Sequence, residues 1–452
     1  MLYKVKKERL FTNHQLLALL WPLIIEQALG VLVGMADTVM VSSVGEAAIS
    51  GVSLVDMINQ LIITVFGALA TGGAVVTSQH LGAKRPEEAA RSAGQLVGLS
   101  GILGTAVAVF CLVTRTAQLR LFFGTISEDV MQACLTYFTI TALSFPFLAL
   151  YNAGAAIFRS TGNSAVSMKV SVLVNAINFC GNALCVFVLR MGVAGVAVPT
   201  LVSRAVGAVI ILSLAAKRDY VLRITPRTVT RLEGRTVRSI LYIGIPSAFE
   251  NSLFQLGRVL VVSMISLFGT VHISANAVAN NLDAVGCIVG NAMGLAMITV
   301  VGRCVGAQDF EQTKHYTKKL LLWDYIAQGT VNLLVLFFLN RILGMYTLSP
   351  ETRALSWTLV MIHNGVAILL WPAGFVLPNA LRAANDVRFT MVTSILSMIV
   401  WRMGLSWILC VNMGMGAVGV WLAMVVDWIC RVTCFVIRFA SGAWQKSSMK
   451  KV

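Results

Sequence analysis

Residues 16–41 read LLALLWPLIIEQALGVLVGMADTVMV, a continuous apolar run in which only Glu26 and Asp37 are charged. A helix needs about 20 consecutive, mostly apolar residues to cross a lipid bilayer. Pro22 lies inside the run, and membrane helices tolerate such prolines because neighbouring groups satisfy the freed backbone. The stretch therefore predicts a membrane-spanning helix that carries two carboxyl groups.

The rest of the chain has the same apolar character. Of its 452 residues, 57% are hydrophobic and only 12% are charged, whereas soluble proteins average about 25% charged residues. This apolar content excludes a disordered chain. The nine cysteines show no C-x-x-C spacing, which argues against a disulfide or metal framework. The apolar runs are too long for the alternating strands of a membrane barrel, so we predict an all-α integral membrane protein.

Twelve transmembrane helices are predicted from the length of the apolar runs. Their approximate positions are 15–40, 50–79, 93–114, 131–155, 165–188, 193–215, 239–267, 276–301, 317–340, 354–379, 388–411 and 416–439.

The two halves of the chain repeat each other. The shift that places Pro22 on Pro246 also places Glu26 on Glu250, without a gap. Each half holds six spans, so both halves run in the same direction through the membrane. Parallel repeats of this kind are a transporter architecture, with the substrate site between the halves near the bilayer midplane.

The repeat divides the chain into an N-terminal six-helix lobe at 1–215, a cytoplasmic basic linker at 216–238 and a C-terminal six-helix lobe at 239–452. Of the 35 lysines and arginines, 26 lie on one predicted side of the membrane and five on the other. Cytoplasmic loops carry the excess of positive charge. We therefore expect both termini and the linker in the cytoplasm, with the chain in the plasma (inner) membrane.

Several motifs occur in a characteristic order. The first span ends in Asp37–Val41 (DTVMV), and two matched loops read RSTGN at 159–163 and LRAAND at 381–386. Over about residues 12–440, the order, spacing and duplication of these motifs resemble the multidrug and toxic compound extrusion (MATE) family. The resemblance implies two lobes arranged as a V around a central cleft. It also implies the export of organic, often cationic, compounds in exchange for H⁺ or Na⁺.

Three carboxyl groups are predicted to couple transport to an ion. Glu26 and Glu250 occupy the same place in the two repeats, four residues after the helix prolines. An ionisable group inside a span is costly and is usually paired or functional. The alternative is a neutral acid that donates one hydrogen bond. Asp37 lies in the outer half of its span, and its repeat mate is Val261, so fold symmetry does not require an acid there. The alternative for Asp37 is a carboxylate at the end of its helix that is exposed to water on the outer side of the membrane.

The resemblance also implies partners for Asp37. In the family this aspartate belongs to a polar cluster with span 5, where Asn178 and Asn182 stand four residues apart here. The family has an aspartate at the second position, so ion binding in this lobe would rest on Asp37 and on Glu26. Sodium-type members carry another aspartate near the position of Trp371. Its absence favours H⁺ over Na⁺ as the coupling ion.

Three further charged residues are candidates for substrate or ion binding. Asp56 on span 2 and Asp283 on span 8 lie in matched regions of the repeats. They either line an outer vestibule that attracts cations or make capping contacts near the starts of their helices. Arg258 replaces Gly34 of the first repeat, and we expect it to counter the charge of Glu250 about two turns away.

Side chains suited to organic cations are also present. Aromatic rings bind cations through their faces, and methionine adapts to varied shapes. They either line a drug cleft or fill the core. The candidates are Phe254, Met293, Met297, Trp371 and Phe375.

Other classes of function lack their motifs. There is no G-x-x-x-x-G-K-[ST] loop for ATP, and the five histidines show no metal-binding spacing. We therefore expect no enzyme, no metal and no cofactor beyond the coupling ion, and a channel is disfavoured. The net charge of +16 lies in loops, so nucleic acid is not an expected partner. The closest alternative is a flippase for a lipid-linked saccharide. The expected partners are a small organic substrate and the lipid bilayer, with the chain acting as a monomer.

Overall fold

The computed structural model describes residues 9–124, 126–217 and 220–449, and these residues form helices joined by short loops, with no strand among them. Six of the lysines and arginines used to predict the orientation lie outside the described residues. They are Lys4, Lys6, Lys7, Arg218, Lys450 and Lys451.

Twelve helices in the described part of the chain correspond to the twelve predicted spans. The first six are α1 Asn13–Ser42, α2 Glu46–Gly82, α3 Pro86–Phe123, α4 in two segments Glu128–Leu143 and Phe145–Ser160, α5 Ser164–Val188, and α6 Ala194–Ala215. The second six are α7 Gly234–Ser266, α8 in two segments Thr270–Gly286 and Ile288–Gly306, α9 Phe310–Gly344, α10 Pro350–Ala383, α11 Val387–Asn412, and α12 Gly416–Ala440. Two short helices, Pro226–Thr230 and Trp444–Met449, follow α6 and α12.

Most of these helices have the composition of membrane spans. Ten are long and apolar enough to cross a bilayer, with α8 represented by its second segment Ile288–Gly306. The two segments of α4, which meet at a 44° bend, make an eleventh span when counted together. The remaining helix, α7, carries Glu250 and Arg258 in its middle. Because ionisable groups at membrane depth usually face a protein interior or a cavity, α7 is expected to contribute to a functional site.

Both termini of the described chain and the central linker lie at the same end of the bundle. The Phe11 amide donates to the Tyr316 hydroxyl at the start of α9 (3.0 Å), and Ser448 Oγ donates to the Ala384 carbonyl after α10 (2.9 Å). The Glu233 amide of the linker donates to Gln95 Oε1 on α3 (2.9 Å). We call this the basic end. It is the end that the charge bias predicts to be cytoplasmic.

The two halves cross tightly at the basic end, where α2 meets α8. A Cβ atom on Gly82 would overlap the Arg303 carbonyl, and one on Gly306 would overlap the Gln79 carbonyl. Under the shift that relates the two prolines, Gln79 falls on Arg303 and Gly82 falls on Gly306. The crossing is therefore symmetric and obeys the register of the sequence repeat.

Hydrogen bonds around the crossing follow the same symmetry. Gln79 Nε2 on α2 donates to the Ala383 carbonyl of the opposite half (2.8 Å). Its repeat mate Arg303 donates through Nη2 to the Ser160 carbonyl (2.8 Å). Ser160 and Ala383 each come directly after the arginine of the matched motifs. These contacts hold the two halves together at the basic end.

The orientation in the membrane can be tested with introduced cysteines. Thr230 is exposed in the linker at the basic end, and Thr347 is exposed in the loop between α9 and α10 at the opposite end. In intact cells, we expect Thr230→Cys to react only with a membrane-permeant maleimide and Thr347→Cys to react also with an impermeant one. The unsubstituted chain gives the background from native cysteines. Reaction of Thr230→Cys with the impermeant reagent would reverse the assignment.

Candidate functional site

The repeat glutamates are held in matching ion pairs. Glu26 Oε1 on α1 lies 3.4 Å from Arg159 Nη1, and Glu250 Oε1 on α7 lies 2.8 Å from Arg382 Nη2. All four side chains are at most 13% exposed. Ser167 Oγ donates a further hydrogen bond to Glu26 Oε2 (3.1 Å). A buried carboxylate is tolerated when it has such a partner, so neither glutamate has to be neutral.

These pairs correct two sequence-based expectations. Arg258 does not counter Glu250, because Arg382 does so through a direct contact. Arg159 and Arg382 were assigned to cytoplasmic loops, but they lie in the last turns of α4 and α10 and point into the bundle. The sequence contained a signal for them, since the two arginines occupy matched motifs just as the glutamates do.

The N-terminal half contains a cavity of about 320 Å³ toward the end opposite the basic end. Asp37 on α1 and Asn182 on α5 meet here, with Asn182 Nδ2 donating to Asp37 Oδ1 (2.8 Å). Asn182 Nδ2 also contacts Asn178 Oδ1 (3.3 Å), and Asn178 Nδ2 donates to Thr200 Oγ1 on α6 (3.0 Å). The structure therefore brings together the three residues that the resemblance grouped.

Asp56 on α2 lines the same cavity. Its Oδ1 accepts hydrogen bonds from Asn59 Nδ2 (3.2 Å) and from the Tyr137 hydroxyl (3.1 Å). Asp56 thus faces a cavity instead of capping the start of its helix. Arg204 on α6, which the sequence left without a role, also lines the cavity and donates through Nη1 to Ser144 Oγ (2.7 Å). Two carboxyl groups therefore share this cavity with one guanidinium group.

The C-terminal half contains a corresponding cavity of about 370 Å³. Arg258 and Asp283 both line it, and Asp283 Oδ1 lies 2.7 Å from His363 Nε2 on α10. Cys287 Sγ, one turn further along α8, lies 3.1 Å from the same carboxylate oxygen. Asp56 and Asp283 thus line equivalent cavities but have different partners, a tyrosine in one half and a histidine in the other.

A second cavity of about 260 Å³ in the C-terminal half lies beside the Glu250–Arg382 pair. Trp371 and Phe375 stack there with ring centroids 5.0 Å apart, and Phe254 lies edge-on to Phe375. The π-helical turn Pro372–Val376, which starts at a proline without an amide hydrogen, carries Phe375.

The two candidate methionines do not line the aromatic cavity. Met293 and Met297 on α8 are at most 2% exposed and belong to the hydrophobic core. Of the five cleft candidates, Phe254, Trp371 and Phe375 therefore line cavities, whereas the two methionines fill the interior.

Arginines next to these aromatic rings are partly neutralised by one carboxylate. Arg431 Nε donates to Asp427 Oδ1 on α12 (2.9 Å), as their spacing of one helical turn predicts. Arg402 Nη1 lies 4.0 Å from the other oxygen of Asp427, and its guanidinium lies 5.1 Å from the Phe254 ring centroid. The C-terminal cavities therefore combine aromatic surface with guanidinium groups.

Asp324 on α9, for which the sequence suggested no role, is fully buried, and within the described residues neither of its carboxylate oxygens has a hydrogen-bond partner. Gln328, one turn later, is also fully buried, and its side-chain amide has no partner there either. These polar groups lie on α9 in the C-terminal half of the chain.

Fold and site together define a class of protein. Twelve helices in two parallel repeats, with charged and aromatic cavities among them, are the architecture of a secondary transporter. The MatE family model matches residues 22–184 and 246–408, so the two matched segments begin at Pro22 and Pro246. The chain belongs to the MATE family of transporters and is not an enzyme.

Similar proteins support this assignment over the whole chain. It is 27% identical over 447 residues to the uncharacterized transporter YisQ of Bacillus subtilis, a match that covers 97% of this chain and 96% of the relative. It is 24% identical over 455 residues to the probable multidrug resistance protein NorM of Thermotoga maritima, covering 99% and 96%.

Solved structures show the same fold. An outward-facing multidrug resistance MATE family transporter of the MOP superfamily matches with a TM-score of 0.89 at 20% identity, covering 96% of each chain. A MATE protein in a bent conformation matches with a TM-score of 0.87 at 21% identity, again covering 96% of each chain. The all-α membrane fold predicted from the sequence is thereby confirmed, and the twelve helices described above agree with the predicted number of spans.

Proposed function

We propose that this protein exports amphipathic organic cations in exchange for H⁺. The observation that carries the proposal is the N-terminal cavity, where two carboxyl groups, Asp37 and Asp56, face a space to which the described residues contribute one basic side chain, Arg204. A cavity with an excess of carboxyl groups attracts cations. The relatives named as probable multidrug resistance proteins support the same class of cargo.

Coupling requires that the ion and the cargo affect each other's binding. If a proton and an organic cation compete for the carboxyl groups around Asp37, each lowers the affinity for the other, and this reciprocity produces exchange. H⁺ is favoured over Na⁺ because Trp371 stands near the place where sodium-type members of the family carry an aspartate, and because Asn182 replaces the aspartate of the family's span-5 pair. Glu26 and Glu250 are secondary coupling candidates in this proposal. Each is paired with an arginine, which must be displaced before the glutamate can bind a cation.

The proposed organisation assigns separate tasks to the two halves. The lobes at 1–215 and 239–452, joined by the linker at 216–238, would move against each other at the crossing of α2 and α8. The N-terminal cavity would take the cationic end of the cargo and the proton. The aromatic rings of the C-terminal half, including Trp371 and Phe375, would take its apolar body.

Transport in proteoliposomes tests this proposal. We expect an imposed pH gradient to drive efflux of an ethidium-like dye, and an Na⁺ gradient at constant pH to drive little. Liposomes without protein are the control for leakage. Efflux that continues after both gradients are collapsed would refute exchange, and movement of a lipid-linked saccharide in place of the dye would favour the flippase alternative.

We also propose that the chain lies in the plasma (inner) membrane with both termini in the cytoplasm and acts as a monomer. The grouping of both chain ends and the linker at the basic end supports this orientation. The labelling of Thr230→Cys and Thr347→Cys described above tests the orientation.

A further inference from the structure

Three side chains of different chemistry converge in the C-terminal cavity. Asp283 and Cys287 lie one turn apart on α8, where the helix breaks between its two segments, and His363 faces them from α10. One atom of each residue, a carboxylate oxygen, the thiol sulfur and a ring nitrogen, lies within 4.8 Å of the other two. Ligand atoms of a tetrahedral zinc site lie about 3.3–3.8 Å apart, so small side-chain movements would let one ion contact all three atoms.

The combination of donors is selective. Thiolate, imidazole and carboxylate are the groups that bind Zn²⁺ in proteins, and three protein ligands leave a fourth position for water. Mg²⁺ and Ca²⁺ prefer sites built from oxygen alone. All three residues line the cavity of about 370 Å³, and Asp283 is 25% exposed. The cavity thus provides an entry path and room for the fourth ligand.

The histidine is oriented by a chain of amides. His363 Nδ1 lies 3.4 Å from Asn364 Oδ1, Asn364 Nδ2 donates to Asn332 Oδ1 (2.8 Å), and Asn332 Nδ2 donates to the Gly286 carbonyl (3.1 Å). Without an ion, the 2.7 Å contact between Nε2 and Asp283 Oδ1 requires a hydrogen between these two atoms. With an ion bound, Nδ1 carries the hydrogen and donates it to Asn364, and the Nε2 lone pair is available to the ion. Outer hydrogen bonds of this kind fix the tautomer and orientation of metal-binding histidines.

Aromatic packing adds to this support. The rings of Trp421 and Trp428 lie edge-on to the imidazole of His363, with centroids 5.5 and 4.9 Å away. His363 itself is only 2% exposed. The imidazole is therefore held between two rigid side chains with its Nε2 atom directed at the cluster.

We propose that Asp283, Cys287 and His363 bind a divalent transition-metal ion of the zinc type. On binding, the Cys287 thiol proton passes to water in the cavity, and the thiolate and carboxylate together balance the two positive charges of the ion. Arg258 and Arg402 line the same cavity and repel the ion, so they limit its affinity. This inference does not depend on the proposed cargo or coupling ion.

The sequence repeat restricts the proposed metal site to the C-terminal half of the chain. In the register that places Pro22 on Pro246, Asn59 and Ile63 occupy the places of Asp283 and Cys287. The N-terminal cavity therefore lacks both the carboxylate and the thiol at these places. A metal ion in the C-terminal half would tie α8 to α10, and α2 has no equivalent tie.

Cobalt is the probe for the first experiment, because thiolate-bound Co²⁺ gives a charge-transfer absorption that carboxylate- or imidazole-bound Co²⁺ lacks. The purified full-length chain in detergent, with its thiols reduced, is titrated with Co²⁺. We expect the absorption to saturate at a single ion per chain and to disappear when Zn²⁺ is added. Cys287→Ser is expected to abolish it, and His363→Gln to weaken Co²⁺ binding by at least about tenfold.

Two further variants separate this site from other causes of binding. Cys434→Ser is the matched control, because Cys434, like Cys287, is a cysteine one helical turn from another potential metal ligand, here Cys430, and the change should leave the absorption unchanged. Arg258→Gln should tighten binding several-fold, since it removes a positive charge from the cavity. A merely structural role of the cluster would not produce that gain.

A second measurement keeps the test independent of variant folding. In the unsubstituted chain, Zn²⁺ should slow the alkylation of Cys287 by N-ethylmaleimide, measured on the peptide that contains it, and should leave the alkylation of exposed Cys180 unchanged. The proposal is overturned by an absorption that survives Cys287→Ser, by the absence of any thiolate absorption, or by alkylation of Cys287 that Zn²⁺ does not slow.

Discussion

Asp37→Asn is expected to reduce gradient-driven dye efflux to the level of protein-free liposomes while the protein remains folded. The asparagine keeps an oxygen that can accept the hydrogen bond from Asn182 Nδ2, which is 2.8 Å long in the native chain. Its amide cannot bind a proton or balance a cation. The change therefore removes the proposed chemistry of the N-terminal cavity with little disturbance of its packing.

Matched variants sharpen this experiment. Asp129→Asn removes a carboxylate from the exposed start of α4 in the same half and should leave efflux unchanged. Glu26→Gln should weaken efflux or shift its pH dependence, because it leaves Arg159 without a partner for its charge. Rates are measured against pH at fixed Na⁺ and then against Na⁺ at fixed pH. If Asp37→Asn keeps the native rate and pH profile, coupling does not occur there, and Glu250 becomes the leading candidate.

Gly306→Ala should open the contact between α2 and α8 at the basic end. The added Cβ atom overlaps the Gln79 carbonyl, which belongs to a helix backbone and cannot rotate away. Overpacking of this kind costs about 1–3 kcal/mol. Because about 1.4 kcal/mol corresponds to a factor of ten in an equilibrium, we expect the population with a separated basic end to rise by roughly tenfold.

Cysteine accessibility measures this shift. Ser78 lies on α2 against Gly302 of α8 and is fully buried. In the Gly306→Ala background, Ser78→Cys should react about tenfold faster with a membrane-permeant thiol reagent, in proportion to the open population. Gly365→Ala on α10 is the control, because no atom lies within 4 Å of its added Cβ. Equal reaction rates in the two backgrounds would show that the crossing does not resist separation.

The helices and the repeat could be predicted because their signals are local or collinear. Apolar run length marks each span, and Pro22 and Pro246 set the register between the halves. The pairing of side chains across helices could not be predicted in the same way, because it depends on how each helix is rotated and tilted. For this reason Arg258 was assigned to Glu250, although the chain supplies Arg382 from a different helix.

The cavities show the same limit. Asp37 and Asn182 could be grouped because a resemblance supplied their neighbourhood, whereas Arg204 and Tyr137 carried no motif. Asp283 and His363 lie on two different helices of the same half, and no sequence-spacing rule predicts that they meet. In principle, the matched motifs containing Arg159 and Arg382 could have identified both ion pairs. The two glutamates occupy equivalent places in the repeats, so their partners are also expected at equivalent places.

The symmetric crossing of α2 and α8 also bears on how such a chain could have arisen. Each glycine faces the backbone of the other half, so two identical six-helix polypeptides could form this contact across a two-fold axis. Such a homodimer would always carry two identical cavities. Gene duplication and fusion remove that constraint, because each copy can then mutate alone. Asp37 and Val261 differ at equivalent places in the two halves, a difference that a homodimer could not have and that two separately mutating copies allow.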